Sequence, residues 1–192
     1  MSSVPPLGSV VLLACVLALP AAPAARAPAQ DDAIVWTATR KLTWDDFKAK
    51  PLRELDGARS AISHTIQIGC RDGSLQVRVL TLFHPQQSSV TYRIISSGLA
   101  SRVGLAHEHL HFDIAEVFAR RIRRMYAELA EPCPRTDEAL QALADPIFRE
   151  LQAEQRRFDD QTRFGELEAK QLEWAKRIAA ELDALQAFQD GG

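Results

Sequence analysis

The run His107-Glu108-His109-Leu110-His111 contains three histidines, and the first and the last of them stand with Glu108 in the order His-Glu-x-x-His. On a helix, residues four positions apart lie one above the other on the same face. Two imidazoles placed in this way can each reach one zinc ion (Zn²⁺) at about 2.0–2.1 Å. Glu108 lies beside that position, where it can take a proton from a water molecule and pass it to a leaving amine. The spacing therefore predicts zinc ligands at His107 and His111 and a general base at Glu108.

Apolar residues recur at spacings of three and four from about residue 101, which predicts a helix that ends at Glu131-Pro132. Both motif histidines fall on its apolar stripe, where buried imidazoles need polar partners. A shared metal ion would satisfy them, and the alternative is two core histidines bonded to carboxylates of other helices. His109 is predicted to face solvent on another side, with Glu116 and Arg120.

The rest of the chain predicts an α+β fold, with a small antiparallel sheet of three to four strands followed by three long helices. Asp72-Gly73 is a hairpin-turn dipeptide between two alternating runs. Thr43 is placed to cap a short helical turn, and Thr136 or Asp137 to cap the second long helix. The predicted strands are 34–36, 62–68, 75–81 and 90–95. Asp145-Pro146 is expected to kink or restart the second long helix, and Gly165 to end it.

Residues 1–29 are typical of a signal peptide. Their apolar run, residues 7–19, has the length of a signal-peptide core and is too short to span a bilayer. Ala27-Pro28-Ala29 is a candidate cleavage site. We therefore expect residues 30–192 to form a single zincin-like domain that is periplasmic or secreted, with no membrane span. Cys15, within the apolar run, is an alternative attachment site for a lipid anchor.

Cys70 and Cys133 remain after the predicted cleavage. An even number of cysteines in an oxidising compartment favours a disulfide, and two free thiols are the alternative. The formal net charge of −2 gives no reason to expect nucleic acid or an anionic membrane surface as a partner.

Three blocks of the sequence resemble a bacterial family of secreted zinc-dependent proteases, known as domain of unknown function 922 and placed among the zincin peptidases. The blocks are Leu42-Thr43-Trp44-Asp45-Asp46-Phe47 with Pro51, residues 107–116 with Ala119-Arg120, and residues 158–165 with Gln171 and Trp174. The third is similar to a family block of the form Tyr-Asp-x-x-Thr-x-His-Gly with a following Gln-x-x-Trp. The resemblance implies a zincin-like fold, bound zinc and a peptide or protein substrate.

One position departs from the family block, because Phe164 stands where the block has histidine. That histidine would serve as a third zinc ligand or as a hydrogen-bond donor to the transition state, and phenylalanine can do neither. Catalytic zinc normally has three protein ligands and an open position. We expect Asp159 as the third ligand, because the family block keeps an acid there. Other oxygen donors nearby are Glu154, Asp160, Glu166 and Glu168, and a solvated helix face is the alternative reading of Asp159-Asp160.

Three hypotheses follow. The first is an extracytoplasmic zinc metallopeptidase in which Glu108 moves the proton. The second, motivated by Phe164, is a zinc-binding relative with lost or weak catalysis that acts as a structural or peptide-binding envelope protein. The third is a metal-free envelope scaffold with the two histidines in its core.

Four further residues are candidates for supporting roles. Asp113 or Glu116 is placed to accept the outer N–H of a zinc histidine, although Glu116 can equally pair with Arg120 four residues on. His64 and His84 are candidates for a distant metal ligand, but an ordinary polar or turn role is commoner for a lone histidine.

Overall fold

The computed structural model describes residues 32–51 and 57–189. Within these ranges a small antiparallel sheet is followed by helices, and the predicted α+β class is confirmed. The predicted signal peptide, its cleavage site and Cys15 lie outside the described residues. Among the helices in the two described ranges, none combines the length and the hydropathy that a bilayer span requires.

Five strands form two sheets. They are β1 Ile34–Val35, β2 Ala58–Arg59, β3 Ile62–Arg71, β4 Ser74–Phe83 and β5 Ser89–Val90. The larger sheet has the order β1-β4-β3, and β2 pairs with β5 in the smaller one. Strands β3 and β4 form the expected hairpin around Asp72 and Gly73, whose φ angles of 51° and 77° are both positive. A two-residue hairpin turn of this kind requires such angles at both positions, which is why Asp-Gly marks it in the sequence.

Five α-helices accompany the sheets in the part of the chain that the structure describes. They are α1 Tyr92–Ile95, α2 Leu99–Ala127, α3 Asp137–Ala142, α4 Asp145–Thr162 and α5 Glu168–Ala184. The side chain of Thr136 accepts a hydrogen bond from the Ala139 N–H and caps α3. Pro146 lies in the first turn of α4, where its missing N–H leaves no intrahelical bond unmade. The expected restart at Asp145-Pro146 and the break at Gly165 are therefore both present.

The predicted strand at 90–95 is wrong. Strand β5 ends at Val90, and α1 begins at Tyr92 because the Thr91 carbonyl accepts the N–H groups of Ile94 and Ile95. The β-branched residues of this segment favour a strand by intrinsic propensity. Packing of Ile94 into the apolar cluster around Trp36, Phe47 and Phe83 outweighs that preference.

Helix α2 is the centre of the domain. Its apolar residues enter three apolar clusters: Ile114 and Phe118 pack with α4 and α5, Phe112 packs with the N-terminal segment, and Ile122 packs with β4 and α3. With other elements covering several of its sides, polar residues in its middle are buried as well. A buried polar or charged group is costly unless it has a partner, so these side chains constrain the elements around them.

Glu116 is the most deeply buried charge of α2, with 2% of its surface exposed. Its carboxylate accepts hydrogen bonds from Thr81 on β4 and from Arg120 and Arg123 on α2. Arg120 also donates to the carbonyl of Leu182, which ties α5 to α2. Of the two roles expected for Glu116, the pair with Arg120 is the one present.

A disulfide joins Cys70, near the end of β3, to Cys133 in the segment between α2 and α3, with a Cα–Cα distance of 5.6 Å. It attaches the tip of the hairpin to the end of the central helix.

Replacing both cysteines (Cys70→Ser with Cys133→Ser) is expected to lower the free energy of unfolding by about 2–5 kcal/mol, because the cross-link restricts the unfolded chain. Urea unfolding of the oxidised protein measures this change, and the native protein in reductant should lose a similar amount. Equal midpoints for the oxidised protein and the variant would contradict the prediction.

Candidate metal centre

Helix α2 places His107 and His111 one turn apart, with their Nε2 atoms 3.1 Å from each other. Helix α4 brings the carboxylate of Asp159 to the same point. Its Oδ1 atom lies 3.1 Å from Nε2 of His107 and 2.9 Å from Nε2 of His111. The two histidines and the aspartate expected as ligands are therefore brought together. Across residues 32–51 and 57–189 they are the one cluster of three side chains suited to hold a metal ion.

The spacing of these three atoms fits a small divalent cation. With zinc–ligand distances of about 2.0–2.1 Å, donors at the corners of a tetrahedron lie about 3.3 Å apart. The three observed separations are slightly shorter, at 2.9–3.1 Å. Imidazole nitrogen and carboxylate oxygen are also donors that zinc prefers, and three protein ligands leave one position open.

Gln155 orients the ring of His111 through the nitrogen that does not face the donor cluster. Its Oε1 accepts a hydrogen bond from His111 Nδ1 at 2.5 Å, and its Nε2 donates to the His111 backbone carbonyl at 3.0 Å. Because the proton is on Nδ1, the neutral ring directs the lone pair of Nε2 toward Asp159. Two acceptor atoms that face each other at 2.9 Å require a cation between them, either a proton or a metal ion.

The electrostatics of the cluster also favour a bound cation. Burial favours the neutral ring of His111, but its bond to Asp159 and the charges of Glu108 and Asp159 outweigh this effect and raise the His111 pKa. Burial alone would raise the pKa of Asp159, whereas the hydrogen bonds and charges of His107 and His111 hold it well below its usual range. A metal ion binds such ligands in their deprotonated form and displaces the shared proton.

His107 packs against an aromatic ring and a glycine. Its ring stacks on Phe158 with centroids 4.5 Å apart. A Cβ at Gly165 would lie 3.4 Å from both His107 Cγ and Gln171 Oε1, and the φ of Gly165 is +89°. Glycine is therefore favoured there by its backbone conformation. His107 Nδ1 and Gln171 Oε1 are buried atoms without a hydrogen-bond partner in the described part of the chain.

Glu108 lies beside the donors and is not one of them. Its side chain is buried, and the hydroxyl of Ser60 donates a hydrogen bond of 2.6 Å to its Oε2. Glu108 and the three donors line one open cleft of about 970 Å³. A carboxylate held in this way can accept a proton from a molecule bound in the cleft.

The cleft has walls from several elements. Strand β2 and Ser60 form one side, and α1 and the end of α4 contribute the others. Charged side chains of both signs line it: Arg59, Arg93, Arg163, Asp160 and Glu166. Of the alternative oxygen ligands considered from the sequence, Asp160 and Glu166 line the cleft but lie outside the donor cluster. Glu154 is instead paired with Arg157 and Arg177.

Phe164 lines the same cleft, with 74% of its surface exposed. It lies at the border of the cleft and does not belong to the donor cluster, in which Asp159 supplies the oxygen.

The prediction that His109 faces solvent is wrong. Its ring is covered by the N-terminal segment: Nδ1 accepts the backbone N–H of Leu42, and Nε2 lies 3.4 Å from Asp113. Asp113 in turn accepts the indole N–H of Trp36. The segment that folds over this face of α2 is distant in sequence, so helical periodicity alone gives no sign of it.

The supporting roles expected for other residues are filled differently. The outer nitrogen of His111 binds Gln155, and neither Asp113 nor Glu116 takes that role. His64 lies 3.0 Å from the Ala115 carbonyl, and His84 bonds to Ser63. Burial lowers the pKa of His64, so its ring stays neutral and donates to that carbonyl. Neither histidine is a member of the donor cluster.

Two residues of the site were missed from the sequence. Gln155 precedes Asp159 by four residues on α4, and that spacing was a usable sign that both share one helix face. Ser60 lies 48 positions from Glu108, and no local pattern indicates the contact.

The fold and site define an α+β protein with a buried His-Glu-x-x-His helix and a cluster of two histidines and one aspartate. Residues 101–165 match the family described as "Bacterial protein of unknown function (DUF922)". The match contains all three donors and Glu108, and it supports the resemblance to domain of unknown function 922 over these residues. No curated protein and no solved structure gives a significant match.

Removing the support of His111 is expected to weaken metal binding. Gln155→Leu leaves Nδ1 without its acceptor, and loss of such a partner typically lowers metal affinity about 10–100-fold. Zinc titration by calorimetry measures the change, with Gln152→Leu, an exposed glutamine one turn earlier on α4, as the control. Equal affinities for the two variants would contradict the assigned role of Gln155.

Proposed function

We propose that this protein is a zinc-dependent metallopeptidase that acts outside the cytoplasm. The observation that carries the proposal is the pair of acceptors at 2.9 Å, His111 Nε2 and Asp159 Oδ1, with Glu108 on the same cleft. The disulfide and the signal-like residues 1–29 support an oxidising location.

In this proposal the chain holds zinc through Nε2 of His107, Nε2 of His111 and Oδ1 of Asp159. When bound, zinc supplies Lewis-acid chemistry and lowers the pKa of a water molecule to about 7. Glu108 accepts the proton of the attacking water and returns it to the leaving amine. Ser60 keeps the Glu108 carboxylate in place through its hydrogen bond.

Zinc is expected to stabilise the folded protein. At a free concentration about 100 times its Kd it should raise the free energy of unfolding by about 2.7 kcal/mol. Asp159→Asn should lose most of this effect, whereas the matched variant Asp160→Asn should keep it, because Asp160 lies outside the donor cluster. Thermal unfolding with and without zinc measures both. Stabilisation that is the same in both variants would rule out Asp159 as a ligand.

Glu108→Gln is expected to keep zinc affinity and to lower peptide hydrolysis about 10²–10⁴-fold, because the amide cannot accept a proton. The assay is mass spectrometry of new peptide ends in a mixture of unfolded proteins. Glu138→Gln is the control, since Glu138 is exposed on α3 and is not among the cleft-lining residues. Hydrolysis at the native rate in Glu108→Gln would exclude this mechanism.

One observation favours a second candidate function, a zinc protein that binds peptides without cutting them. Phe164 supplies no hydrogen bond where the family block has histidine. If Phe164→His creates hydrolysis that the native protein lacks, the second candidate is right for this chain. If the native protein cuts peptides, the metallopeptidase proposal stands.

A further inference from the structure

Phe164 is a large apolar side chain that the fold leaves uncovered. Most of its surface is exposed, although it lies beside a buried site. Scattered apolar residues on a surface are ordinary, but an exposed ring inside a cleft is a typical feature of a binding site.

The backbone of Phe164 is positioned next to the donors. Arg163 and Phe164 both have positive φ angles, 49° and 54°, which residues with side chains rarely adopt. The Phe164 N–H donates to the carbonyl of Asp159 at 3.0 Å. On the other side of Phe164, Gly165 packs against His107. The Phe164 backbone is therefore connected to two of the three donors, to Asp159 by this hydrogen bond and to His107 through Gly165.

Two other residues make this part of the cleft apolar. Gly104 precedes His107 by three positions and Glu108 by four, so it lies on the same face of α2, one turn nearer the start of the helix. It has no side chain, and a Cβ there would lie 3.6 Å from Cγ2 of Ile94. Ile94, Gly104 and Phe164 all line the cleft. Arg93 and Arg163 also line the cleft, and Ala58 and Ile62 add apolar surface elsewhere in its lining.

We propose that Phe164, Ile94 and Gly104 form a subsite that receives an apolar substrate side chain beside the bond to be cut. The substrate class is extended polypeptide with an aliphatic or aromatic residue at that position. The proposal deepens the proposed function and rests on it. It gives Phe164 a role in specificity, because contact with an apolar side chain removes the exposed ring from water.

Cleavage specificity tests the subsite. The native protein should cut a mixture of peptides with one apolar position enriched beside the cleaved bond. Phe164→Ala should lower kcat/KM for peptides with leucine there about tenfold or more, and should leave peptides with alanine there within about twofold. Leu172→Ala is the control, since Leu172 is also exposed but lies outside the cleft-lining residues. An unchanged preference in Phe164→Ala would overturn the proposal.

Binding separates this inference from the proposed function. The probes are fluorescein-labelled peptides of alanine and serine that carry one leucine or, in its place, one aspartate. Zinc-loaded Glu108→Gln should bind the leucine peptide more tightly, and this preference should disappear when Phe164→Ala is added. If the native protein cuts nothing but the preference depends on Phe164, the peptidase proposal fails and the subsite stands. If the native protein cuts peptides but neither binding nor cleavage depends on Phe164, the subsite fails and the peptidase proposal stands.

Discussion

Burial of the central helix α2 is the constraint on which the rest of the structure depends. Its middle turns are covered by other elements, so each polar side chain there needs a partner from elsewhere in the chain. Each of three such side chains is hydrogen-bonded to a residue of another element: Glu116 to Thr81 on β4, Glu108 to Ser60 after β2, and His111 to Gln155 on α4. The same requirement therefore positions the sheet, the cleft wall and the helix that carries the remaining donor.

The parts of the fold that follow from local chemistry could be predicted from the sequence. Asp72-Gly73 determines the hairpin because few residues adopt the backbone angles of its turn. Thr136 caps α3 and Pro146 begins α4 for similarly local reasons. His107 and His111 share a face because of helical geometry alone, and Asp159 was favoured only through the family block.

The remaining parts depend on contacts between distant segments. Residues 92–95 of the expected strand form a helical turn that packs Ile94 against the apolar cluster around Phe47. His109 is covered by a segment 67 positions away. Ser60 forms its hydrogen bond with Glu108 across 48 positions of the sequence. Such contacts leave no periodic pattern in the sequence. Gln155, in contrast, lies four positions before Asp159 on α4, and this helical spacing predicts that both side chains share one face.

The disulfide closes a covalent ring that includes two of the three donors of the candidate metal centre and leaves the third outside. The covalent ring from Cys70 to Cys133 contains β4 and the whole of α2, and so holds His107 and His111. Asp159 lies on α4, beyond the ring, in a part of the chain that is held against α2 by packing and by hydrogen bonds such as those of Gln155. A cation bound by all three donors would act as a second, reversible cross-link between the closed and the open part of the chain.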